Sequence, residues 1–240
     1  MKTFVVIPTY NEVSNIEELI DTLFTWKADL EILVVDDHSP DGTVEVVKKK
    51  MKGNTRIFLI ERPKKMGLGS AYKVGFQYVL EKGAEVIFEM DGDFSHHPRY
   101  LPTMLERLKE ADVVIGSRYI KGVSVVDWPM RRILLSYCAN GWVRAMTGVP
   151  SRDMTSGFKA FRREALISLD FSKIRSEGYS FLIEVNFRLY RKRFRLVEIP
   201  IIFTDRNVGQ SKMTRSIMVE AFFTVWRLFF EKFFRKPKDS

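Results

Sequence analysis

The chain has 240 residues, of which 45% are hydrophobic and 29% are charged, which is ordinary for a globular protein with a sizeable core. Lysine and arginine outnumber aspartate and glutamate by 39 to 30, and this excess favours an anionic partner: nucleic acid, a phosphorylated substrate or an acidic lipid surface. The single cysteine excludes an internal disulfide framework and cysteine-based zinc fingers. The sequence has no charge-free apolar window of about 18 residues, so no transmembrane helix is predicted.

The first half of the sequence alternates apolar runs with amphipathic stretches. The predicted strands lie at residues 3–8, 31–37, 56–62, 85–91 and 112–118. The predicted helices between them lie at residues 14–24, 41–51, 69–83 and 98–111. Strands that alternate with helices of this length predict an α/β fold of Rossmann-like type, with a mostly parallel central sheet flanked by helices.

The pattern changes after residue 118 without an obvious linker. Two helices are predicted at residues 130–148 and 179–193, a strand at 196–203, and a third long helix over about the last 25 residues. We therefore expect a change of architecture within one domain near residues 118–125.

Polar clusters follow four of the predicted strands. These clusters are Pro8–Glu12, Asp36-Asp37, Asp91-Gly92-Asp93 and Ser117-Arg118. Ligands bind outside the carboxyl ends of the strands in such sheets, so four clusters at one edge predict a site. The alternative is that these acids are solvated loop starts.

Asp91 and Asp93 form an Asp-x-Asp turn after an apolar run, and Gly92 lets the backbone approach a ligand closely. Two carboxylates can hold Mg²⁺ or Mn²⁺ and leave open positions for phosphate oxygens, so the turn suits a diphosphate. His96 and His97 raise the alternative of zinc, but adjacent histidines point to different sides. For them we expect loop packing or hydrogen bonding behind the metal ligands.

Segments spread over residues 3–215 resemble, in the same order, glycosyltransferases of family 2 with the GT-A fold. In the first half these segments are VVIPTYNE, ILVVDDHSPDGT, GLGSAY, MDGDFSHHP and IGSRY. In the second half they are WPMRRILLS, DMTSGFKAFRREAL, GYSFLIE and EIPIIFTDRNVGQSKM. Three of these segments are shared by fewer members of the family and resemble the group of dolichyl-phosphate (polyprenyl-phosphate) mannose synthases. They are DFSHHP, GSRY and DRNVGQSK.

The resemblance implies roles for named residues. The nucleotide-sugar site would comprise Pro8, Tyr10, Glu12, Val35, Asp37, Asp91, Gly92, Asp93, Arg206 and Lys212. Asp91, Asp93 and Ser95 would hold the metal, with Ser95 acting directly or through water because a hydroxyl is shorter than the glutamine of some relatives. Arg118, Arg132 and Ser136 would grip the acceptor phosphate, and Asp93, Arg118 and Arg132 would be the catalytic residues.

The implied reaction is transfer of mannose from GDP-mannose to dolichyl or another polyprenyl phosphate, with inversion to a β-mannosyl phosphate. The acceptor is already an anion near pH 7, so it needs positioning by arginines and no catalytic base. The alternatives are another donor such as UDP-glucose, a soluble glycan or protein acceptor, and a non-catalytic membrane-binding module. Nucleic acid is not an expected partner, because it would not explain the acids at the strand ends.

The C-terminal stretch predicts a helix at the membrane interface. On a helical wheel its charged residues share one narrow stripe, and its aromatic residues cover most of the remaining circumference. We therefore expect a catalytic domain at residues 1–212 and an amphipathic helix with a basic tail at 213–240, in a peripheral protein at the cytoplasmic membrane face. Packing of this helix on the sheet or against a second copy is the alternative. A small membrane subunit, which some relatives use, stays open as a partner.

Overall fold

The computed structural model describes residues 1–26, 29–204 and 215–234. Its strands are β1 (Thr3–Thr9), β2 (Leu30–Asp36), β3 (Ile57–Glu61), β4 (Val86–Glu89), β5 (Val113–Ser117), β6 (Val125–Val126), β7 (Lys159–Arg162), β8 (Leu196–Pro200) and β9 (Phe203–Thr204). Its α-helices are α1 (Ile16–Trp26), α2 (Thr43–Gly53), α3 (Leu68–Glu81), α4 (Leu101–Arg107), α5 (Met130–Thr147), α6 (Arg163–Ile167), α7 (Gly178–Arg191) and α8 (Arg215–Phe234). Short 3₁₀ turns lie at Pro98–Tyr100 and Phe171–Lys173.

A seven-stranded sheet with the order β3-β2-β1-β4-β7-β5-β8 forms the centre of the fold. All its neighbouring strands pair in parallel except β7, which runs antiparallel to both β4 and β5. The predicted α/β fold with a mostly parallel sheet is therefore confirmed. The parallel strands β1, β2, β4 and β5 end at one edge, where the polar clusters follow them.

Helices cover both faces of this sheet because its strands alternate their side chains between two cores. Val5 and Ile7 of β1 join the core beneath α1, α2 and α4, whereas Phe4 and Val6 join the core beneath α3, α6 and α7. A third cluster joins α5, α7 and α8 through residues that include Val143, Phe187, Val225 and Leu228.

Strand β7 and helix α6 were not predicted, because β7 has only four residues, Lys-Ala-Phe-Arg, with a charge at each end. Its Lys159 faces Glu89 of β4 in the antiparallel register, with Nζ 3.3 Å from the Glu89 carboxylate. Both side chains are fully buried, and burial raises the pKa of Glu89 and lowers the pKa of Lys159. A buried lysine in a central strand is thus explained by one acidic partner on the neighbouring strand.

The prediction of one continuous strand at residues 196–203 was wrong. The structure divides it into β8, at the edge of the central sheet, and β9, which pairs in parallel with β6 as a separate two-stranded sheet. Leu101–Arg107 likewise forms a shorter helix than expected, after a 3₁₀ turn.

Gly75→Ala is expected to destabilise the protein, because a Cβ there would lie 2.5 Å from Val6 Cγ1 and 3.3 Å from Val35 Cγ2. Overpacking of this kind costs about 1–3 kcal/mol of unfolding free energy. Gly141→Ala, in the middle of α5 with nothing within 4 Å, is the matched control and should stabilise by about 0.5–1 kcal/mol. Urea unfolding monitored by circular dichroism measures both; equal shifts would contradict the packing of α3 on β1 and β2.

Candidate active site

The loops after β1 and β2 are fastened together by the carboxylate of Asp36. It accepts hydrogen bonds from Thr9 Oγ1 at 2.7 Å, from Ser39 Oγ at 2.6 Å and from the Ser39 backbone N–H at 2.8 Å. The backbone N–H of Asn11 donates in turn to Ser39 Oγ at 3.0 Å. Asn11 and His38 have positive φ angles of 59° and 60°, which turn both loops sharply at the sheet edge.

Asp37 fixes the loop that leads from β3 to α3. Its Oδ2 accepts the backbone N–H groups of Met66 and Gly67 at 3.0 Å each, and its Oδ1 forms a buried ion pair with Arg62. The Arg62 guanidinium also donates to Ser70 Oγ and to the Gly67 carbonyl. Asp37 therefore shapes the wall where the resemblance expects a nucleotide, with its carboxylate engaged inside the protein.

The other predicted nucleotide residues lie along the same edge. Pro8 and Val35 are neighbours in the β1–β2 register, but the Val35 side chain is fully buried against α3. Tyr10 stands beyond β1, with Lys65 Nζ 3.9 Å from its ring centroid. Glu12 is largely buried and accepts a hydrogen bond from Asn15 Nδ2 at 3.1 Å. Pro8 and Val35 thus lie side by side at the strand ends, with Tyr10 and Glu12 in the loop that follows β1.

The Asp-x-Asp turn follows β4, beside β1. Asp93 is largely buried and accepts the Ser95 backbone N–H at 3.1 Å, while the Asp91 side chain is about a quarter exposed. A Cβ on Gly92 would lie 3.4–3.6 Å from Ile7, Thr9 and Glu12, so the turn sits tightly against β1.

The neutral ring of His96 supports this turn. Its Nδ1 accepts the Asp91 backbone N–H at 3.4 Å, and its ring stacks on Phe158 with centroids 5.1 Å apart. Burial lowers the pKa of His96 to about 4, so the imidazole is uncharged at neutral pH. His97 is exposed, and its ring accepts the Arg99 backbone N–H instead. Both histidines therefore have the packing and hydrogen-bonding roles expected for them.

The turn fits a divalent cation that has few protein ligands. Within the described ranges no three histidine, cysteine, aspartate or glutamate side chains cluster as a metal cage. Ser95 Oγ is buried beside Asp93 and has no hydrogen-bond partner among the residues that the structure describes, so it is a further oxygen next to the carboxylates. Two carboxylates and one hydroxyl are hard oxygen donors of the kind that Mg²⁺ and Mn²⁺ accept, and they leave positions for phosphate oxygens.

A second, basic part of the site follows β5. Arg118 is 8% exposed and binds the fully buried Asp153 in a bidentate pair, with Nε–Oδ2 at 2.7 Å and Nη2–Oδ1 at 2.6 Å. Its Nη2 also donates to Thr155 Oγ1 at 2.8 Å. Burial opposes the charge of Arg118, but the Asp153 carboxylate more than offsets this and raises the pKa of the guanidinium. These bonds use Nε and Nη2 of Arg118, and no hydrogen bond joins Nη1 to a residue that the structure describes.

Helix α5 brings Arg132 and Ser136 next to Arg118. Tyr119 Oη donates to Ser136 Oγ at 2.7 Å, and the Arg132 guanidinium carbon lies 3.8 Å from the centroid of the Trp128 ring. The Arg118 guanidinium carbon lies 5.6 Å from the same ring. The three residues predicted to grip an acceptor phosphate therefore form one cluster.

Phe203 and His96 connect the acidic and basic parts. The Phe203 ring lies 5.6 Å from the His96 ring and 5.4 Å from the Arg118 guanidinium carbon. Asp91 and Arg118 thus lie near the same two rings, although β7 separates β4 from β5 in the sheet. Arg206 and Lys212 lie outside the described residues, so their predicted role at the donor diphosphate stays a prediction.

Sequence reasoning missed several residues that build this site. Asp153 was noticed only inside a similar segment, although it is the carboxylate that holds Arg118. Gly157 was missed too, and a Cβ there would lie 3.4–3.5 Å from both Asp91 carboxylate oxygens and from His96. Their signal is the short run Asp153–Phe158 before β7, which is recognisable only once β7 is seen to lie between β4 and β5.

Asp153→Asn is expected to destabilise the fold by about 3–5 kcal/mol, because it leaves the buried charge of Arg118 without its carboxylate. Urea unfolding with Asp170→Asn as the control tests this, since Asp170 makes a surface pair with Lys173 and its loss should change little. An Asp153→Asn protein that unfolds at the wild-type urea concentration would show that the pair is dispensable.

Comparison with known proteins agrees with this geometry. The family model for glycosyl transferase family 2 matches residues 4–170. An undecaprenyl-phosphate mannosyltransferase of Micrococcus luteus is 39% identical over 227 residues, which cover 95% of this chain and 93% of the relative. A polyprenol monophosphomannose synthase of Mycolicibacterium smegmatis is 42% identical over 226 residues, which cover 93% and 85%.

Solved structures share the fold at low sequence identity. Glucosyl-3-phosphoglycerate synthase from Mycobacterium tuberculosis, in complex with Mn²⁺, uridine diphosphate and glucosyl-3-phosphoglycerate, superposes with a TM-score of 0.69 at 18% identity, covering 95% of this chain and 79% of that one. A mannosyltransferase from Pyrobaculum calidifontis in complex with GDP-Man and Mn²⁺ gives 0.58 at 18% identity, covering 88% and 58%. The chain therefore belongs to glycosyl transferase family 2 and is a glycosyltransferase with the GT-A fold.

Proposed function

We propose that this enzyme transfers mannose from GDP-mannose to a polyprenyl phosphate such as dolichyl phosphate. The proposal is supported by the two relatives, which are named for mannosyl transfer to polyprenol carriers and align with nearly the whole chain. The observation that carries it is the basic cluster of Arg118, Arg132 and Ser136, which the rings of Phe203 and His96 connect to the Asp-x-Asp turn.

The charge of the acceptor side distinguishes a phosphate acceptor from a sugar hydroxyl. A hydroxyl acceptor needs a general base beside it. Asp153 is the carboxylate that contacts Arg118, and both its oxygens are taken up by that guanidinium. A lipid phosphate needs no base, because it is already an anion, and arginine binds phosphate oxygens well. Its attack on the anomeric carbon of an α-linked donor gives a polyprenyl β-D-mannosyl phosphate.

The donor lies at the ends of β1, β2 and β4. Tyr10, Glu12 and the loop held by Asp37 would line the nucleotide pocket, and Asp91, Asp93 and Ser95 would hold Mg²⁺ or Mn²⁺. The metal, when bound, offsets the negative charge that the leaving diphosphate gathers. Arg118 and Arg132 position the acceptor, and Gly92 keeps the turn close to β1 so that the two substrates can meet in one cleft.

Helix α8 docks on the protein by its polar stripe. Arg227 Nη2 lies 2.7 Å from the buried Glu184 carboxylate of α7, and Glu220 accepts the Glu177 backbone N–H at 2.8 Å. Thr224, Val225 and Leu228 are buried on the same side. The aromatic side stays exposed, with Phe222, Phe223, Phe230 and Phe233 each 48–66% accessible.

This orientation supports a peripheral attachment to the cytoplasmic face of a membrane. None of the helices that the structure describes combines the length and apolarity needed to cross a bilayer. Trp142 of α5 stacks on Phe222 of α8 with centroids 5.4 Å apart, and α5 itself exposes Leu134 and Tyr137. A surface of exposed aromatic and aliphatic side chains suits the lipid interface, where a polyprenyl phosphate is found. The division into residues 1–212 and 213–240, and a small membrane subunit, stay part of the proposal.

The proposed reaction is tested by transfer of radiolabelled sugar into an organic-extractable product. We expect labelling from GDP-mannose with polyprenyl phosphate in detergent and Mn²⁺ or Mg²⁺, and none with EDTA. Asp93→Asn should lower turnover by at least about 100-fold through loss of the metal, whereas Glu106→Gln, an exposed acid of α4, should not. Labelling from UDP-glucose alone would overturn the donor, and labelling of a soluble glycan alone would overturn the acceptor.

The membrane surface is tested by sedimentation with anionic phospholipid vesicles. Phe223→Glu and Phe230→Glu should each weaken vesicle binding roughly tenfold or more, because each removes an apolar side chain worth about 1.5–3 kcal/mol on burial. Ile167→Glu, which changes an equally exposed apolar residue on α6, is the matched control. Unchanged vesicle binding together with a smaller mass in analytical ultracentrifugation would assign the aromatic face to a second copy instead.

A further inference from the structure

The Trp128 ring lies near both arginines of the acceptor side. It stands between β6 and α5, in the loop where Asp127 has a φ of 64° and Pro129 caps the helix. Its ring centroid is 3.8 Å from the guanidinium carbon of Arg132 and 5.6 Å from that of Arg118. The edge of Phe203 packs against it at 5.5 Å and 70°.

The Trp128 ring lies against Arg132 at the amino end of α5. Arg132 lies in the first turn of α5, together with Arg131 and without an acidic residue. The amino end of a helix carries a partial positive charge, so an arginine there is repelled unless something offsets it. The face of an indole is the strongest of the aromatic acceptors for a guanidinium, and 3.8 Å is a stacking distance.

No hydrogen bond explains why this residue is a tryptophan. Indole Nε1 is a donor, and in Trp128 it is buried without an acceptor in the part of the chain that the structure describes. A buried donor without a partner is unfavourable, and a phenylalanine would avoid that cost. The feature that a tryptophan adds here is therefore the larger and more electron-rich face that it turns to the guanidinium groups.

We propose that Trp128 is a positioning residue of the acceptor site, which holds the guanidinium of Arg132 in the orientation that receives the lipid phosphate. The inference rests on the proposed function, since it takes Arg132 to be a ligand of that phosphate. Arg118 is held by Asp153, and Arg132 lies against the Trp128 ring. The two arginines would thus present their N–H groups to one anion through two different supports.

The test is steady-state transfer with polyprenyl phosphate varied at a fixed donor concentration, and then the reverse. Trp128→Leu should raise the acceptor KM roughly tenfold and Trp128→Phe roughly threefold, with the donor KM unchanged, because the cation–π contact is lost or weakened. In an Arg132→Ala background, Trp128→Leu should change kcat/KM for the acceptor less than about twofold, because its effect passes through Arg132. Trp26→Leu, which removes a tryptophan that packs on Phe88 in the core, should leave the acceptor KM unchanged.

The outcomes separate the two proposals. An active wild-type enzyme whose Trp128→Leu variant keeps its acceptor KM would overturn the role of Trp128 and leave the proposed function standing. An equal loss from Trp128→Leu with and without Arg132 would also overturn it, because the ring would then act independently of Arg132. A wild-type enzyme that labels no polyprenyl phosphate would overturn the proposed function, and this inference with it. Circular dichroism spectra equal to wild type establish that each variant is folded.

Discussion

The buried ion pair between Arg118 and Asp153 is the interaction on which the acceptor side of the cleft depends. Asp153 lies in the loop before β7, whose backbone is held in turn by Glu198 of β8, which accepts the N–H groups of Arg152 and Asp153 at 3.0 Å. The carboxylate is therefore fixed before it meets the guanidinium. Burying two charges in this way is weak evidence for stability, because desolvation offsets much of their attraction. Its effect is to fix the Nε and Nη2 edge of Arg118.

The acidic and basic parts of the cleft are kept apart by uncharged rings. His96, neutral because of its burial, and Phe203 stand between the Asp-x-Asp turn and Arg118. Arg118 pairs with Asp153, and this offsets the charge of its guanidinium locally. The arrangement is a preorganised separation of charge of the kind that transfer between two anions requires.

The sequence predicted the parts of the protein whose signal is local. Regular alternation of strands and helices defined the parallel sheet, and the edge rule then placed Asp37, Asp91 and Arg118 together. It did not predict β7, because Lys159 looks like a surface residue until Glu89 is placed opposite it across 70 residues of chain. The sequence also did not predict which side of α8 packs against the rest of the protein. Its charged stripe resembles a solvent face, and only the partners Glu177, Glu184 and Arg188 on another element show that it points inward.

The two-stranded sheet of β6 and β9 links two parts of the chain that the proposed function assigns to different substrates. Val125 and Val126 pair with Phe203 and Thr204, and the Phe203 N–H donates to the Ser124 carbonyl at 3.0 Å. The chain that bears Trp128 is thereby tied to a point only two residues before Arg206, which the family resemblance assigns to the donor diphosphate. Under the proposed function, the same short ladder would connect the acceptor side with the segment assigned to the donor diphosphate. Binding of one substrate would then change the affinity for the other.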